Sequence, residues 1–161
     1  MLRQSAAADA GAERLLPEAR RLGRARIPYG ELDAGGGTAV IVGIGVDLVE
    51  VERLRRALAR RPGLRQRLFA PEEILGAGGP GEVRSLAARF AAKEAARKAV
   101  GLAAAGTGWR DARVIGGHGG PPRLELHGRL LEAAQDLGAT RWHLSLAHER
   151  EYAVAMVVIE T

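Results

Sequence analysis

The chain of 161 residues contains no cysteine and only two residues each of Phe, Trp and Tyr. Without cysteine, disulfide bonds and thiolate metal sites are excluded, and a reducing compartment suits such a composition. Because aromatic residues are scarce while Ala, Leu, Val and Gly abound, the core must consist mainly of aliphatic side chains. We therefore expect an aliphatic core that folds without a disulfide framework.

Long hydrophobic segments are also missing. The longest apolar run, Ala39 to Val46, is too short and too rich in glycine to cross a bilayer. The first residues lack the apolar stretch of a signal peptide. We predict a soluble cytoplasmic protein with no membrane segment.

The length fits one domain and a tail. Residues 1–38 mix Ala, Gly and Arg without a sustained period and contain too few apolar groups to offset the entropy of ordering. We predict that residues 1–38 are a mostly disordered extension and that residues 39–161 form the folded domain.

Positive charge is concentrated in one segment. The formal net charge is +5, and between Arg53 and Arg67 there are seven arginines and no acid. An amphipathic helix is predicted from Val49 to about Arg61, with Arg53, Arg56 and Arg60 on its polar side. These arginines form either a solvated helix face or a docking strip for an acidic protein or a nucleic acid.

A second helix is predicted from Leu86 to Val100, where strong helix formers dominate, with Ser85 as N-cap and Gly101 as C-cap. Glu94 and Lys98 fall on one face, whereas Lys93 projects elsewhere. They form either an ordinary surface ion pair or part of a site for a metal and a phosphate. The second alternative gains some weight because Lys93 and Lys98 are the only lysines of the chain.

The run from Val40 to Asp47 is typical of a buried strand, and its glycines at 43 and 45 indicate close approach of a backbone or a ligand. Its Gly-x-Gly pattern lacks the third glycine of a dinucleotide fingerprint. At the end of the run, Asp47 suits either a helix N-cap or a metal ligand.

The remaining pattern predicts a short helix near Pro71, two short strands, another helix and a closing hairpin. The strands are Asp111 to Ile115 and Arg123 to His127, the helix is Arg129 to Leu137, and the hairpin joins Trp142–Ala147 to Tyr152–Ile159. Taken alone, His143 and His148 are typical of structural histidines. The order of elements predicts an α+β fold with a largely antiparallel sheet packed with helices.

Three segments together resemble one family. The strand IVGIGVDLVEVERLRRAL, the helix RFAAKEAARKAVG and the hairpin WHLSLAHEREYAVAMVVIE occur in the order found in the holo-acyl-carrier-protein synthases. These enzymes are the small-subunit class of 4'-phosphopantetheinyl transferases. The resemblance covers roughly Val40 to Glu160 and omits the extension.

The resemblance implies transfer of the phosphopantetheine arm of coenzyme A to a serine of an acyl carrier protein, with Mg²⁺ as cofactor, in a homotrimer. It implies Asp47 and Glu94 as metal ligands, Lys98 as a contact to the pyrophosphate, and Arg89, Lys93 and His143 in the coenzyme pocket. Arg53, Arg56 and Arg60 would receive the carrier protein.

The base that takes the serine proton stays open between a metal-bound water, Glu94 and His148. Two rival functions are a basic module that binds nucleic acid and a coenzyme A-binding trimer without catalysis. The arginine-rich segment has no interleaved aromatic residues for stacking on bases, which disfavours the first.

Overall fold

The computed structural model describes residues 38–101, 106–116 and 120–161 of the chain. The helices are α1 (Val51–Arg60), α2 (Leu64–Leu68), α3 (Pro71–Ala77), α4 (Glu82–Val100) and α5 (Gly128–Asp136). The strands are β1 (Ile41–Glu50), β2 (Ala112–Ile115), β3 (Arg123–Leu126), β4 (Arg141–His148) and β5 (Tyr152–Glu160). The predicted disordered extension lies outside the described residues, apart from Thr38.

Strand pairing is antiparallel throughout the described part of the chain. Strands β1, β5 and β4 form a three-stranded sheet in that order, and β2 pairs with β3 in a separate two-stranded sheet. The predicted α+β class with antiparallel sheets is confirmed.

Helix α4 packs across one face of the three-stranded sheet and lies very close to β1. A Cβ atom added to Gly45 would lie 1.9 Å from the carbonyl oxygen of Ala95, and one added to Gly43 would lie 2.1 Å from that of Ala99. The glycines therefore bring a strand backbone against a helix backbone, which is one of the two alternatives that the sequence predicts.

Alanines make up seven of the twelve buried residues of α4. Ala87, Ala91, Ala92 and Ala95 are fully buried, because α4 is covered on several sides rather than along one stripe. The helix begins earlier than predicted: its N-cap is Gly81, so Ser85 lies inside the first turns. Its end at Gly101, which has φ of 76°, is as predicted.

Two other boundaries differ from the sequence prediction. Strand β1 continues to Glu50, so Asp47 lies within the strand opposite Ala155 and is not a helix N-cap. A short helix, Leu64–Leu68, follows the Pro62-Gly63 break, where no helix was predicted. Cross-strand pairing with β5 extends β1, which local sequence does not reveal.

The face of the sheet opposite α4 is apolar, and no element among the described residues covers it. Side chains alternate along β1, and Ile44, Val46 and Leu48 on this face are 60, 56 and 63% exposed. Met156 of β5 lies beside Val46 and is 45% exposed. We define the open sheet face as Ile44, Val46 and Leu48 with Val154 and Met156.

In the described ranges, no helix combines the length and the apolar character that a bilayer crossing requires.

Candidate active site

Strand β1 and helix α4 meet at a carboxylate and an ammonium. The Nζ atom of Lys98 donates to Oδ1 of Asp47 at 2.8 Å and to the carbonyl oxygen of Val46 at 3.0 Å. The Asp47 side chain is 18% exposed, whereas that of Lys98 is 54% exposed. The pair therefore lies at the edge of the core, where solvent and a ligand can reach it.

The close packing of β1 on α4 sets the position of Asp47 along the helix. Gly43 lies against Ala99 and Gly45 against Ala95, so β1 runs opposite to the helix direction. Two strand residues span about 6.6 Å and four helix residues about 6 Å, so the two elements stay in step. By the same step Asp47, two residues beyond Gly45, falls level with Ala91, in the helical turn that ends at Glu94. The Glu94 side chain leans toward the helix N-terminus and so toward this level.

The second predicted carboxylate, Glu94, is partly exposed at 27% of its side chain. Its Oε1 atom is buried and has no hydrogen-bond partner among the described residues. Nη1 of Arg97, three residues along the helix, lies 3.5 Å from this oxygen. The Glu94 carboxylate thus faces the buried guanidinium of Arg97 on one side, and part of its side chain remains exposed to solvent on the other.

The chemistry of these donors fits a small divalent cation. Magnesium prefers one or two carboxylates and completes its octahedral coordination with phosphate oxygens and waters. Among the described residues no group of three or more His, Cys, Asp or Glu side chains forms a metal cage. Asp47 and Glu94 are therefore suited to a cation that a phosphate ligand helps to hold.

Lys93, the third predicted residue of α4, lies in the core. Its side chain is 1% exposed, and Nζ contacts Oε2 of Glu73 at 2.8 Å and also donates to the carbonyl oxygen of Ala112. Burial lowers the pKa of Lys93, and the Glu73 carboxylate opposes this shift. The structure does not support the predicted contact of Lys93 with coenzyme A, because its ammonium is enclosed and already bonded.

Glu73 completes this buried network. Oε2 accepts from the backbone N–H of Ala70 at 2.9 Å, and Oε1 accepts from that of Val114 at 3.0 Å. The network joins α3, α4 and β2, so it fixes the helix that carries Glu94 and Lys98. The sequence did not point to Glu73 as a buried partner of Lys93. Its only local signal is an acidic residue at the third position of the helix that begins at Pro71, and such a residue usually indicates only a helix cap.

Arg89 likewise bonds within the chain. Its guanidinium donates to the carbonyl oxygens of Gly76 at 3.0 Å and Gly116 at 2.9 Å, and also to Oγ of Ser85. Arg89 is 4% exposed, and burial lowers its pKa. The structure gives Arg89 the role of joining α3, α4 and the segment after β2, and it does not support the predicted coenzyme contact.

The two histidines of β4 lie on opposite faces of the sheet. His148 pairs with Ala153, which is buried beneath the helices, and so lies on the same face as Asp47. His143 pairs with Val158 and lies on the opposite side of the sheet, the side that also carries the open sheet face; there its Nε2 is 2.9 Å from Oε1 of Glu160. Residues separated by an odd number of positions along a strand point to opposite faces of the sheet. A single chain therefore does not bring the side chains of His143 and His148 to the same pocket.

The predicted docking arginines lie on the exposed side of α1. Arg53, Arg56 and Arg60 are all exposed, and Leu54 on the other side is buried. Nη2 of Arg56 lies 3.6 Å from Oε1 of Glu50. A basic surface is thus present as predicted, and a binding partner for it remains a prediction.

The sequence of this chain is similar to those of one protein family. The family model described as "4'-phosphopantetheinyl transferase superfamily" matches residues 43–157. A holo-[acyl-carrier-protein] synthase of Beutenbergia cavernae is 51% identical over 121 residues, which cover 75% of this chain and 99% of that protein.

Two solved structures are similar in fold and sequence. The holo-[acyl-carrier-protein] synthase of Neisseria meningitidis has a TM-score of 0.66 and 33% identity, covering 76% of this chain and all of that one. A synthase from Bacillus anthracis, solved in complex with CoA (3',5'-ADP), has a TM-score of 0.60 and 33% identity, covering 75% and 97%. The resemblance found in the sequence is confirmed: the chain belongs to the 4'-phosphopantetheinyl transferase superfamily, among its holo-[acyl-carrier-protein] synthases.

Proposed function

We propose that this chain transfers the 4'-phosphopantetheine group of coenzyme A to a serine of an apo-acyl carrier protein. The serine oxygen forms a bond to the β-phosphorus, the bond from that phosphorus to the bridging oxygen breaks, and adenosine 3',5'-bisphosphate leaves. The observation that carries the proposal is the joining of Asp47 to Lys98 beside the turn of Glu94, within a chain of this family.

Asp47 and Glu94 are proposed to hold Mg²⁺ together with oxygens of the diphosphate. Bound there, the cation would neutralise charge on the diphosphate oxygens and stabilise the transition state by several kcal/mol. That is far more than the roughly 0.2–0.5 kcal/mol that a surface pair within one helix contributes. The partly exposed Glu94 and the edge position of Asp47 support this role.

Lys98 is proposed to move its contact from Asp47 to the diphosphate when substrate binds. Both a cation and the ammonium would use Asp47, and the half-exposed side chain of Lys98 has room to turn. A compact ammonium acts on a phosphate as a point charge. Lys98 therefore has to come close to the diphosphate, but it does not need one fixed orientation. Transfer to a phosphorus centre depends mainly on such positioning and charge stabilisation.

The candidate bases for removing the serine proton differ in their distance from the two carboxylates. His148 lies on β4, two strands from the strand of Asp47, which is about 10 Å by strand spacing. A base must reach hydrogen-bond distance of the proton it takes. Within one chain we therefore favour Glu94 or solvent over His148 for a serine held at the two carboxylates.

The carrier protein is proposed to dock on α1 through Arg53, Arg56 and Arg60. Their exposure supports an electrostatic surface that would accelerate association with an acidic partner. We expect no nucleic-acid partner for this surface. A cytoplasmic location of the protein stays a prediction.

A homotrimer is proposed to form through the open sheet face. An exposed apolar patch on an antiparallel sheet is typical of a protein interaction site, and here it spans β1 and β5. Assembly there would bring His143 near a neighbouring chain, which would reconcile its position with the predicted coenzyme pocket.

Mass spectrometry of the carrier tests the transfer directly. Incubation of this chain with coenzyme A, Mg²⁺ and an apo-acyl carrier protein should add one phosphopantetheine group to the carrier. Glu94→Gln and Asp47→Asn should lose the product, whereas His148→Gln should keep most of it. No mass gain with several carriers would refute the proposal, and loss of product in His148→Gln alone would assign the base to that residue.

A further inference from the structure

Beneath Glu94 lies a buried guanidinium that the proposed reaction does not use. The side chain of Arg97 is 5% exposed, and its guanidinium carbon lies 4.7 Å from the ring centroid of Trp109. Trp109 in turn packs against Phe90, with 5.3 Å between ring centroids. Stacked on an indole that is itself packed, the guanidinium is confined in its position.

The surroundings of this guanidinium make Glu94 its compensating charge. Nε and Nη2 of Arg97 are buried and have no hydrogen-bond partner among the described residues. The carboxylate of Glu94 supplies the ion pair, with 3.5 Å between Nη1 and Oε1. A buried cation is costly unless a charge of opposite sign lies beside it, so Oε1 is held on the inner side.

We infer that Arg97 is a positioning residue: its guanidinium attracts Oε1 of Glu94 into the buried side as an ion pair and leaves the carboxylate a single oxygen to offer a metal cation. The inference rests on the proposed metal role of Glu94. Its consequence is selectivity: Mg²⁺ needs octahedral geometry with metal-oxygen distances of about 2.0–2.1 Å, whereas Ca²⁺ accepts six to eight ligands and readily uses both oxygens of a carboxylate. A Glu94 with one available oxygen therefore suits Mg²⁺ and disfavours Ca²⁺.

The selectivity ratio separates this geometric effect from simple electrostatics. The positive charge of Arg97 repels any cation bound at Glu94, so its removal strengthens binding of both ions. Because Mg²⁺ and Ca²⁺ carry the same charge, that change largely cancels in the ratio of their affinities. What remains in the ratio is the number of carboxylate oxygens that Glu94 can offer.

The experiment measures cation binding without catalysis. Mn²⁺ bound to the protein in the presence of coenzyme A is followed by electron paramagnetic resonance and displaced with Mg²⁺ or Ca²⁺. Arg97→Met removes the charge and the planar stack at similar length, Arg97→Lys keeps the charge alone, and Trp109→Leu releases the guanidinium from its stack. Arg123→Met, at an exposed position on β3, is the control.

In Arg97→Met the ratio of Ca²⁺ to Mg²⁺ affinity should rise by about tenfold, and in Arg97→Lys and Trp109→Leu it should rise by less, because each of these loosens the hold on Oε1 without removing the charge. The control should keep the ratio of the unchanged chain. A ratio within twofold of that value in folded Arg97→Met overturns the inference; if Arg97→Met does not fold, the same result in Arg97→Lys and Trp109→Leu overturns it.

Two further arms keep this failure apart from failure of the proposed function. Glu94→Gln should lose Mn²⁺ binding, and the unchanged chain should transfer phosphopantetheine with Mg²⁺. If both hold while the ratio stays constant, only the inference about Arg97 falls. If Glu94→Gln binds Mn²⁺ as before, the metal site and the inference fall together.

Discussion

Lys98 of α4 donates to Asp47 of β1 across a distance of 2.8 Å, joining two residues that lie 51 positions apart in the chain. The contact is possible because Gly43 and Gly45 let the strand lie directly against the helix backbone. The contact brings an acidic side chain of β1 and a basic side chain of α4 together at the partly exposed edge of the core.

Replacing Lys98 should affect turnover far more than stability. Lys98→Met removes the proposed charge on the diphosphate, so kcat should fall by roughly 10²–10³-fold, as for loss of one transition-state donor. The free energy of unfolding should change by less than about 1 kcal/mol, because the ammonium is half exposed. Steady-state kinetics and denaturant unfolding measure both quantities.

Lys98→Arg is the matched control, since it keeps the charge and should recover part of the turnover. Full activity in Lys98→Met would show that the Asp47 contact is only structural.

Adding one methyl group at Gly45 should destabilise the fold. The new Cβ would lie 1.9 Å from the Ala95 carbonyl oxygen, so strand and helix must separate. Gly45→Ala should cost about 1–3 kcal/mol or more, and thermal unfolding should shift down accordingly. Gly120→Ala, where a Cβ meets no atom of the described residues within 4 Å, should leave the melting temperature nearly unchanged. Equal melting temperatures for the two variants would contradict the close packing of β1 on α4.

Breaking the buried pair of Lys93 and Glu73 should also destabilise the protein. Either Lys93→Met or Glu73→Gln leaves a buried polar group without its partner, at a cost of about 3–5 kcal/mol. The double variant should cost clearly less than the sum of the single ones, because it leaves no isolated charge. A double-mutant cycle of denaturant unfolding checks this, and additive costs would mean that the two side chains do not depend on each other.

Charge reversal on α1 should weaken carrier binding in a manner that depends on salt. Arg53→Glu with Arg60→Glu should raise KM for the carrier protein at low ionic strength, and the effect should shrink at about 0.5 M salt as screening increases. The KM for coenzyme A should not change. Arg123→Glu, an exposed reversal on β3, controls for net charge. If it raises KM equally, α1 is not the docking surface.

A charge on the open sheet face should prevent assembly. Val46 is 56% exposed in the single chain, and Val46→Asp should place a carboxylate in the proposed subunit interface. Sedimentation should then report monomers in place of trimers. Leu75→Asp alters a side chain that is 82% exposed on α3 and should leave the assembly intact. Trimers in Val46→Asp would move the interface elsewhere.

The sequence by itself determined the family, the α+β class and most of the elements. Strong helix formers predicted α4, Gly101 predicted its end, and alternation predicted the closing hairpin, because each of these signals is local. The motifs also selected Asp47, Glu94 and Lys98 as site candidates. Their roles as ligands and phosphate contact stay predictions.

Only the tertiary structure decided which charged residues of α4 are available to a ligand. Arg89 and Lys93 belong to the same motif as Glu94 and Lys98, but they bond to carbonyl oxygens and to Glu73 in the core. The helical period gives relative directions around α4, whereas burial depends on which elements cover each side. The same holds for Asp47, which pairing with β5 places inside a strand, and for the histidines of β4, which the pleat assigns to opposite faces.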